Sequence, residues 1–365
     1  MKCVLATASA LALGATGATA GGIDRSGQSI GVIFEDGNYA EFSFGAVMPS
    51  VTGVDVATVE IDNVADRYFQ YGLAIKTQLN DKSSVSVILD QPFGAQVEYP
   101  VASPLLGGTA ATASSTAITA LYRHQMNERL SFHGGVRIQS SSANVTLNGL
   151  AYGGLSGYNV DLASDTGLGY VIGAAYEIPD IALRVALTYN SAITHNFATV
   201  ETLGAPIGIE PTKVTTPQSV NLDFQTGVAA NTLVFGSVRW VDWSAFRLDP
   251  ATFTGLSGGG LIDLDDSTTY TLGVGRKFND TWSGAFSVSY EAEGNPLVSP
   301  LAPSNGKIGA TLAAVYTNGN TKITTGINYT KLGDAMPETG TPDTARADFT
   351  GNTAIGIGVK VGYSF

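Results

Sequence analysis

The chain has 365 residues, only 14% of them charged, and its 31 acidic against 19 basic side chains give a net charge of −12. That balance argues against nucleic acid as a partner. The absence of any apolar run of about 18 residues beyond position 20 excludes membrane-spanning helices. What remains, 44 glycines and 15 tyrosines among many Ser and Thr, describes a chain of strands with small residues on one face.

Residues 1–20 read as a secretory leader: Lys2, a short apolar stretch from Val4 to Ala15, then Ala18-Thr19-Ala20, after which the mature chain would begin at Gly21. Cys3, the single cysteine, would leave with it, so no disulfide or thiolate metal site is expected, and no metal or cofactor. Residues 21–38 are glycine-rich and irregular. A periplasmic tail is one reading of them. Ile23, Ile30, Val32, Ile33 and Phe34 are too apolar for that, which favours a plug inside a larger structure, with Asp24 and Arg25 among its residues.

Residues 39–48 form the first alternating segment, and in the next Phe69, Tyr71, Leu73 and Ile75 share one face. Six short turn signals follow: Asn80-Asp81-Lys82, Met126-Asn127-Glu128, Pro179-Asp180, Ala230-Asn231-Thr232, Asn279-Asp280-Thr281 and Asn318-Gly319-Asn320. Seven longer polar or Gly/Pro-rich stretches alternate with them, near 49–65, 91–115, 141–165, 191–217, 247–267, 291–306 and 333–348. This count requires fourteen strands. In the last segment Ile355, Ile357, Val359, Val361, Tyr363 and Phe365 fall on one face, opposite Gly356, Gly358, Lys360, Gly362 and Ser364.

An apolar face set against a small or charged one fits a strand between lipid and an aqueous lumen, where an outward Arg or Lys at mid-bilayer costs roughly 2–4 kcal/mol. The fold expected is therefore all-β, a transmembrane antiparallel β-barrel of about fourteen strands in a bacterial outer membrane. A soluble β-sandwich is the alternative. The organisation read from the chain is a leader at 1–20, a hatch at 21–38 and the barrel at 39–365. So wide a barrel cannot be filled by its own side chains, which is why a plug is needed.

Strand three runs through Val85, Val87 and Leu89 into Asp90-Gln91-Pro92-Phe93-Gly94. Pro92 has no N–H to donate and Gly94 packs nothing, so in a closed wall the pair marks a bulge, a kink or a break. It is either a side door or the upper end of the strand. Parity points Arg137 and Arg239 inward near mid-height, with Lys76, Arg123, Arg184 and Lys360 inward but lower. They would suit a ligand carboxylate, or they pair with lumen acids. His133 lies inward near Ser131, a spacing that composition alone produces; no catalytic residue is assigned and no enzyme is expected.

These residues resemble the FadL/TodX-type outer-membrane transporters of long-chain fatty acids and other hydrophobic compounds. The likeness rests on Tyr71-Gly72-Leu73, on Leu89-Asp90-Gln91-Pro92-Phe93-Gly94-Ala95 leading to Tyr99-Pro100, on Trp240-Val241-Asp242-Trp243-Ser244-Ala245-Phe246, and on the alternating C-terminus. The resemblance implies a plugged fourteen-stranded barrel that binds a hydrophobic small molecule, with Phe93 beside it, and releases it sideways through a kink at Asp90, Gln91, Pro92 and Gly94. The expected partners are that ligand and the surrounding outer-membrane lipid and lipopolysaccharide, with the protein a monomer. The hatch departs from the family in being short and lacking an Asn-Pro-Ala motif. A general diffusion porin for polar solutes is the alternative function.

Overall fold

The computed structural model describes residues 23–340 and 342–365. The expected leader, with Cys3 and the cut after Ala20, lies outside them, as do Gly21 and Gly22. Fourteen antiparallel strands close a barrel: β1 Tyr39–Ser50, β2 Tyr68–Asn80, β3 in two segments Ser83–Asp90 and Gly94–Glu98, β4 Ala110–Gln125, β5 Leu130–Leu147, β6 Tyr158–Ile178 and β7 Leu183–Asn190. The circuit continues with β8 Ser219–Ala229, β9 Thr232–Val241, β10 Ser267–Lys277, β11 Trp282–Glu291, β12 Lys307–Asn318, β13 Thr321–Leu332 and β14 Thr353–Ser364. Closure is made by β1, which pairs with β2 on one side (Phe42↔Leu73) and with β14 on the other (Phe42↔Val361).

Alternation decides which face each side chain takes. Phe69, Leu73, Ile138, Leu187, Phe286 and Ile357 are among the large apolar residues left exposed on the outside, as a lipid band requires. Tyr122, Phe132, Tyr176, Trp282 and Tyr363, all near the short-turn ends of their strands, form the aromatic girdle of that side. Lys76, Arg123, Arg137 and Arg184 are buried, facing the lumen. All six turns fall where the sequence places them. Asn231 and Gly319 supply the left-handed backbone (φ 57° and 56°) that two of these tight connections need.

Three of the loop spans are corrected by the structure. β4 already begins at Ala110, β5 runs to Leu147 and β6 starts at Tyr158, all inside stretches expected as loop at 91–115 and 141–165. The span 191–217 contains the strands Ile193–Phe197, Thr199–Leu203 and Thr212–Thr216. Above the lipid the outer face need not be apolar, so strands carrying Ser114, Ser142, Asn144 and Asp161 outward continue the ladder while their inner faces stay apolar (Ala111, Val145, Val160, Leu162). Polar composition is thus the mark of height here and not of irregular structure.

These extensions carry a roofed upper lumen. Val145, Leu147, Tyr158, Val160 and Leu162 pack with Trp243, Phe246, Leu248 and Phe253 from the segment after β9, which contains the helix Ala251–Ser257. Glu201 ties that helix down: its carboxylate accepts from the backbone N–H groups of Thr252 (3.0 Å) and Phe253 (2.7 Å) and from the Tyr158 hydroxyl (2.8 Å). Burial alone would raise its pKa, but these donors outweigh it and hold the carboxylate below the usual glutamate value.

Candidate functional site

Residues 23–38 lie inside the barrel, docked at two levels. Ile30, Val32, Ile33 and Phe34, the last three in the short 3₁₀ turn Gly31–Phe34, are buried against Ala74, Ile88, Leu121, Val171, Ala175 and Ala186 of the wall. Phe34 lies between two guanidinium groups, Arg184 at 4.4 Å and Arg123 at 4.7 Å from its ring centre, with His133 edge-on. Arg123 is itself paired with Glu177, and Arg184 donates to Gln225. Below the plug, toward β9–β13, a cavity of about 570 Å³ opens on the side the hatch leaves empty.

The upper end of the hatch meets β3 where that strand fails. In its lower segment Asp90 pairs with Ala117, and in its upper segment Gly94 pairs with Ser114, so the strand carries one extra residue across Gln91, Pro92 and Phe93. On the other side the ladder to β2 stops at Leu73↔Leu89. Tyr71, the next β2 residue directed that way, donates its N–H to the Gln91 side chain at 3.1 Å. β3 therefore keeps β4 and leaves β2. The sequence allowed a bulge, a kink or a break, and the structure has a one-residue bulge with a break on its β2 side.

The parting is a recess of about 730 Å³ bordered by Tyr68, Phe69 and Gln70 on one side and Gly94, Ala95 and Gln96 on the other. Higher up it is closed by loop contacts, Asp66 N–H to Gln96 C=O and Glu98 N–H to Val64 C=O.

The hatch fills this gap from within. Gly94 donates its N–H to the Ile23 carbonyl and Arg25 donates its N–H to the Pro92 carbonyl, both at 2.8 Å. The Arg25 guanidinium lies 3.4 Å over the Tyr68 ring and donates Nε–H to the Gly94 carbonyl at 2.8 Å. A side chain at Gly94 would begin 3.2 Å from the Ala113 carbonyl and 3.3 Å from Arg25 Nε, so glycine is what lets hatch and wall approach this closely.

Ser26 donates to Asp90 Oδ2 (2.5 Å). Gln28, at φ 54°, accepts from Ser219 and Arg239.

Arg239 and Arg137 sit at this level and are engaged. Arg239 pairs with Asp24 (2.6 Å) and donates to Ser219, Asn221 and Gln28. Arg137 donates to Thr119 (2.8 Å) and Asn190 (3.0 Å). The lower lysines also have partners, Lys360 beside Glu41 and Lys322 beside Glu35. His133 Nε2 meets the Thr188 hydroxyl, and Ser131 accepts from Arg123, so those two do not act on each other.

Immediately above Ile23 is an apolar pocket of about 60 Å³, lined by Ile23, Phe93, Leu162, Phe197, Val214, Phe246 and Leu248, with Ser115 and Thr216 among its few polar groups. Trp243 stands behind it, fully buried and edge-on to Phe93 at 5.5 Å. Phe93 and the hatch residue Ile23, both singled out from the sequence, line this pocket. Leu162, Phe197 and Val214 were not singled out, because they lie in stretches whose polar outer faces read as loop. The alternation of Phe197 with His195 and Ile193 is the signal that could have found them.

A family model described as "Outer membrane protein transport protein (OMPP1/FadL/TodX)" matches residues 57–365. No curated protein sequence matches the chain. Among solved structures, a Pseudomonas aeruginosa FadL homologue superposes with a TM-score of 0.71 at 14% identity, covering 92% of each chain. The Pseudomonas putida toluene transporter TodX gives 0.65 at 15% identity over 96% of each chain, and the Ralstonia pickettii toluene transporter TbuX gives 0.63 at 13% identity, also over 96% of each. At such identities these likenesses establish a shared barrel and leave the ligand to be argued from the site.

Proposed function

Because the chain belongs to the OMPP1/FadL/TodX family of outer-membrane transport proteins, we propose that it carries small neutral hydrophobic molecules from the outside into the apolar pocket above Ile23. From there they leave sideways, through the parting between β2 and β3. The division into a leader at 1–20, a hatch at 21–38 and a barrel at 39–365 belongs to this reading. Two relatives in fold are named as toluene transporters, which makes monoaromatic hydrocarbons the first class to test.

One observation carries the proposal. Phe93 and Gly94 line both the inner pocket and the outer recess, so a single thickness of chain separates a ligand site from the membrane side. The pocket, at about 60 Å³, is smaller than the roughly 150 Å³ apolar cavity known to admit benzene. Loading it requires Ile23 or Phe93 to move, and the same movement withdraws the hatch from the gap. In this reading Asp90, Gln91, Pro92 and Gly94 form the gate.

Phe93 touches the ligand. At Arg239 a fatty-acid carboxylate would have to compete with Asp24 for a guanidinium that already donates to Asp24, Ser219, Asn221 and Gln28, which favours a neutral ligand. In this reading the protein is a monomer set in outer-membrane lipid and lipopolysaccharide.

Uptake of radiolabelled toluene by cells carrying Gly94→Trp, or Gln96→Trp where the first does not fold, tests the route. Uptake should fall several-fold, at equal surface expression. Unchanged uptake by both variants would sink the lateral exit and favour a diffusion porin or an axial path. If Arg239→Ala weakens oleate binding and spares toluene, the ligand is instead a fatty acid.

A further inference from the structure

The wall is interrupted a second time, between β6 and the chain that follows β7. Asn190 pairs with Val171, and Thr199 pairs with Leu162, nine residues further along both strands, so the register is the same below and above. Between these points the ladder continues only at its two ends, with Ser191 N–H donating to the Tyr170 carbonyl and Ala163 N–H to the Ala198 carbonyl, both at 3.0 Å; residues 193–197 pair with 212–216 instead.

The cause is parity. β6 exchanges its faces at Ala163 and Ser164, which are both exposed. The other strand exchanges its own at Asn190 and Ser191, which are both buried. Between the two switches both strands turn odd-numbered residues inward, whereas the common register would set odd residues opposite even ones. Directly paired residues must share a face, so this stretch cannot zip without a one-residue slip that would misplace everything beyond it.

Between those two end bonds, side chains close the seam in place of ladder bonds. Ile193 lies over Gly167 and Gly169: a Cβ on Gly169 would come within 2.6 Å of Ile193 Cγ1, and one on Gly167 within 2.8 Å of the Thr194 carbonyl. Asp165 Oδ2 accepts the Asn196 N–H at 3.0 Å and stands 3.4 Å from His195 Nδ1.

The seam and the β3 parting overlap along the ladder. Leu89, Ile118, Ile138 and Leu168 are ladder partners across four strands. The break in β3 starts just above Leu89, and the seam spans Leu168, which is 69% exposed on the outer face. Phe197 and Val214, on the displaced hairpin, line the same apolar pocket that Phe93 lines from the opposite side.

We propose that this seam is a second lateral passage for neutral apolar molecules, connecting the pocket to the outer leaflet between β6 and residues 192–198, with Ile193 as its door. The proposal rests on the preceding reading for the pocket but not for the β3 exit. The test is a double-mutant cycle with the neutral fluorophore N-phenyl-1-naphthylamine, its uptake followed in cells carrying the full chain, Ile193→Ala, Gly94→Trp, or both.

Truncating Ile193 should raise the initial rate several-fold, and the same absolute increment should persist in the Gly94→Trp background, because parallel exits add. Gly167→Ala, which pushes the segment away from β6, should act in the same direction if Ile193→Ala fails to fold, with heat-modifiable electrophoretic mobility reporting folding. A rise that disappears once Gly94→Trp closes the first parting would overturn the proposal, because Ile193 would then only enlarge a pocket with one exit. So would no rise from either variant. Gly94→Trp alone leaving uptake intact tells against the β3 exit, and the seam is then judged by the Ile193→Ala rise.

Discussion

At its lower end the hatch is fixed by burial: Ile30, Val32, Ile33 and Phe34 fill an apolar niche in the wall, and Phe34 is held between Arg123 and Arg184. At its upper end residues 24–28 bury little apolar surface and depend on directed bonds: Asp24 to Arg239, Arg25 to Tyr68, Pro92 and Gly94, and Ser26 to Asp90. Between the two, Gly27 and Gln28 both take left-handed backbone (φ 62° and 54°), a turn that glutamine adopts only under constraint.

The difference teaches which part can move. Apolar burial is non-directional and lost only by withdrawal into water, whereas a set of polar contacts can be exchanged one at a time for others. The lower end is an anchor and the upper end a latch.

The largest expected effect comes from attacking the anchor. Phe34→Ala removes a buried ring and leaves two guanidinium groups facing a void, at roughly 3–5 kcal/mol for a truncation of this kind. The hatch should then undock as a whole, giving a steady conductance in planar bilayers close to that of a chain lacking residues 22–35. If Phe34→Ala conducts no more than the parent while the deletion does, the anchor lies elsewhere. If neither conducts, the plug does not block the lumen at all.

A smaller effect is expected at the latch. Asp24→Asn keeps the shape and an acceptor oxygen but loses the charge opposite Arg239, worth about 1.5–3 kcal/mol for a hydrogen bond to a charged group. Arg239 retains Ser219, Asn221 and Gln28 as partners. Only the upper hatch should loosen, with faster hydrogen exchange at residues 23–26 and unchanged protection at residues 31–34. Equal loss of protection at both ends would mean that the hatch is one cooperative unit without a separate anchor and latch.

How much of this was legible in the chain follows from what alternation can encode. Between lipid and lumen one wrongly placed charge is costly, so parity, the six turns and the strand number could be read directly, and Pro92 with Gly94 marked the place where the wall departs from pattern. Ile30, Ile33 and Phe34 were recognisable as too apolar for a free tail.

The latch partners were not legible. That Arg239 meets Asp24, 215 positions away, or that Arg25 reaches Tyr68, depends on where an irregular segment comes to rest, and no local period specifies that. Inward-facing Arg137 and Arg239 therefore read equally well as ligand groups or as partners of acids. The parity exchanges at Ala163 and Asn190 escaped for another reason: each falls in a stretch whose polar outer face imitates a loop.

The last of the expected effects separates the door from the plug. Arg25 occupies the parting between β2 and β3 without filling any of the apolar niche lower down. Arg25→Ala removes its stacking on Tyr68, roughly 0.5–2 kcal/mol for a cation over an aromatic face, and its bond to the Gly94 carbonyl. Asp24 and Phe34 keep their own partners, so the plug should remain seated and ionic conductance should stay at the parent level. The recess behind Phe69 and Gln96 would lose the side chain that fills it from inside, and uptake of a neutral hydrocarbon should rise. Conductance and uptake measured on the same variant decide the matter. A rise in both would mean that Arg25 helps to anchor the plug, a rise in neither that the parting is not the path, and a rise in uptake alone is the outcome that the geometry of Arg25 predicts.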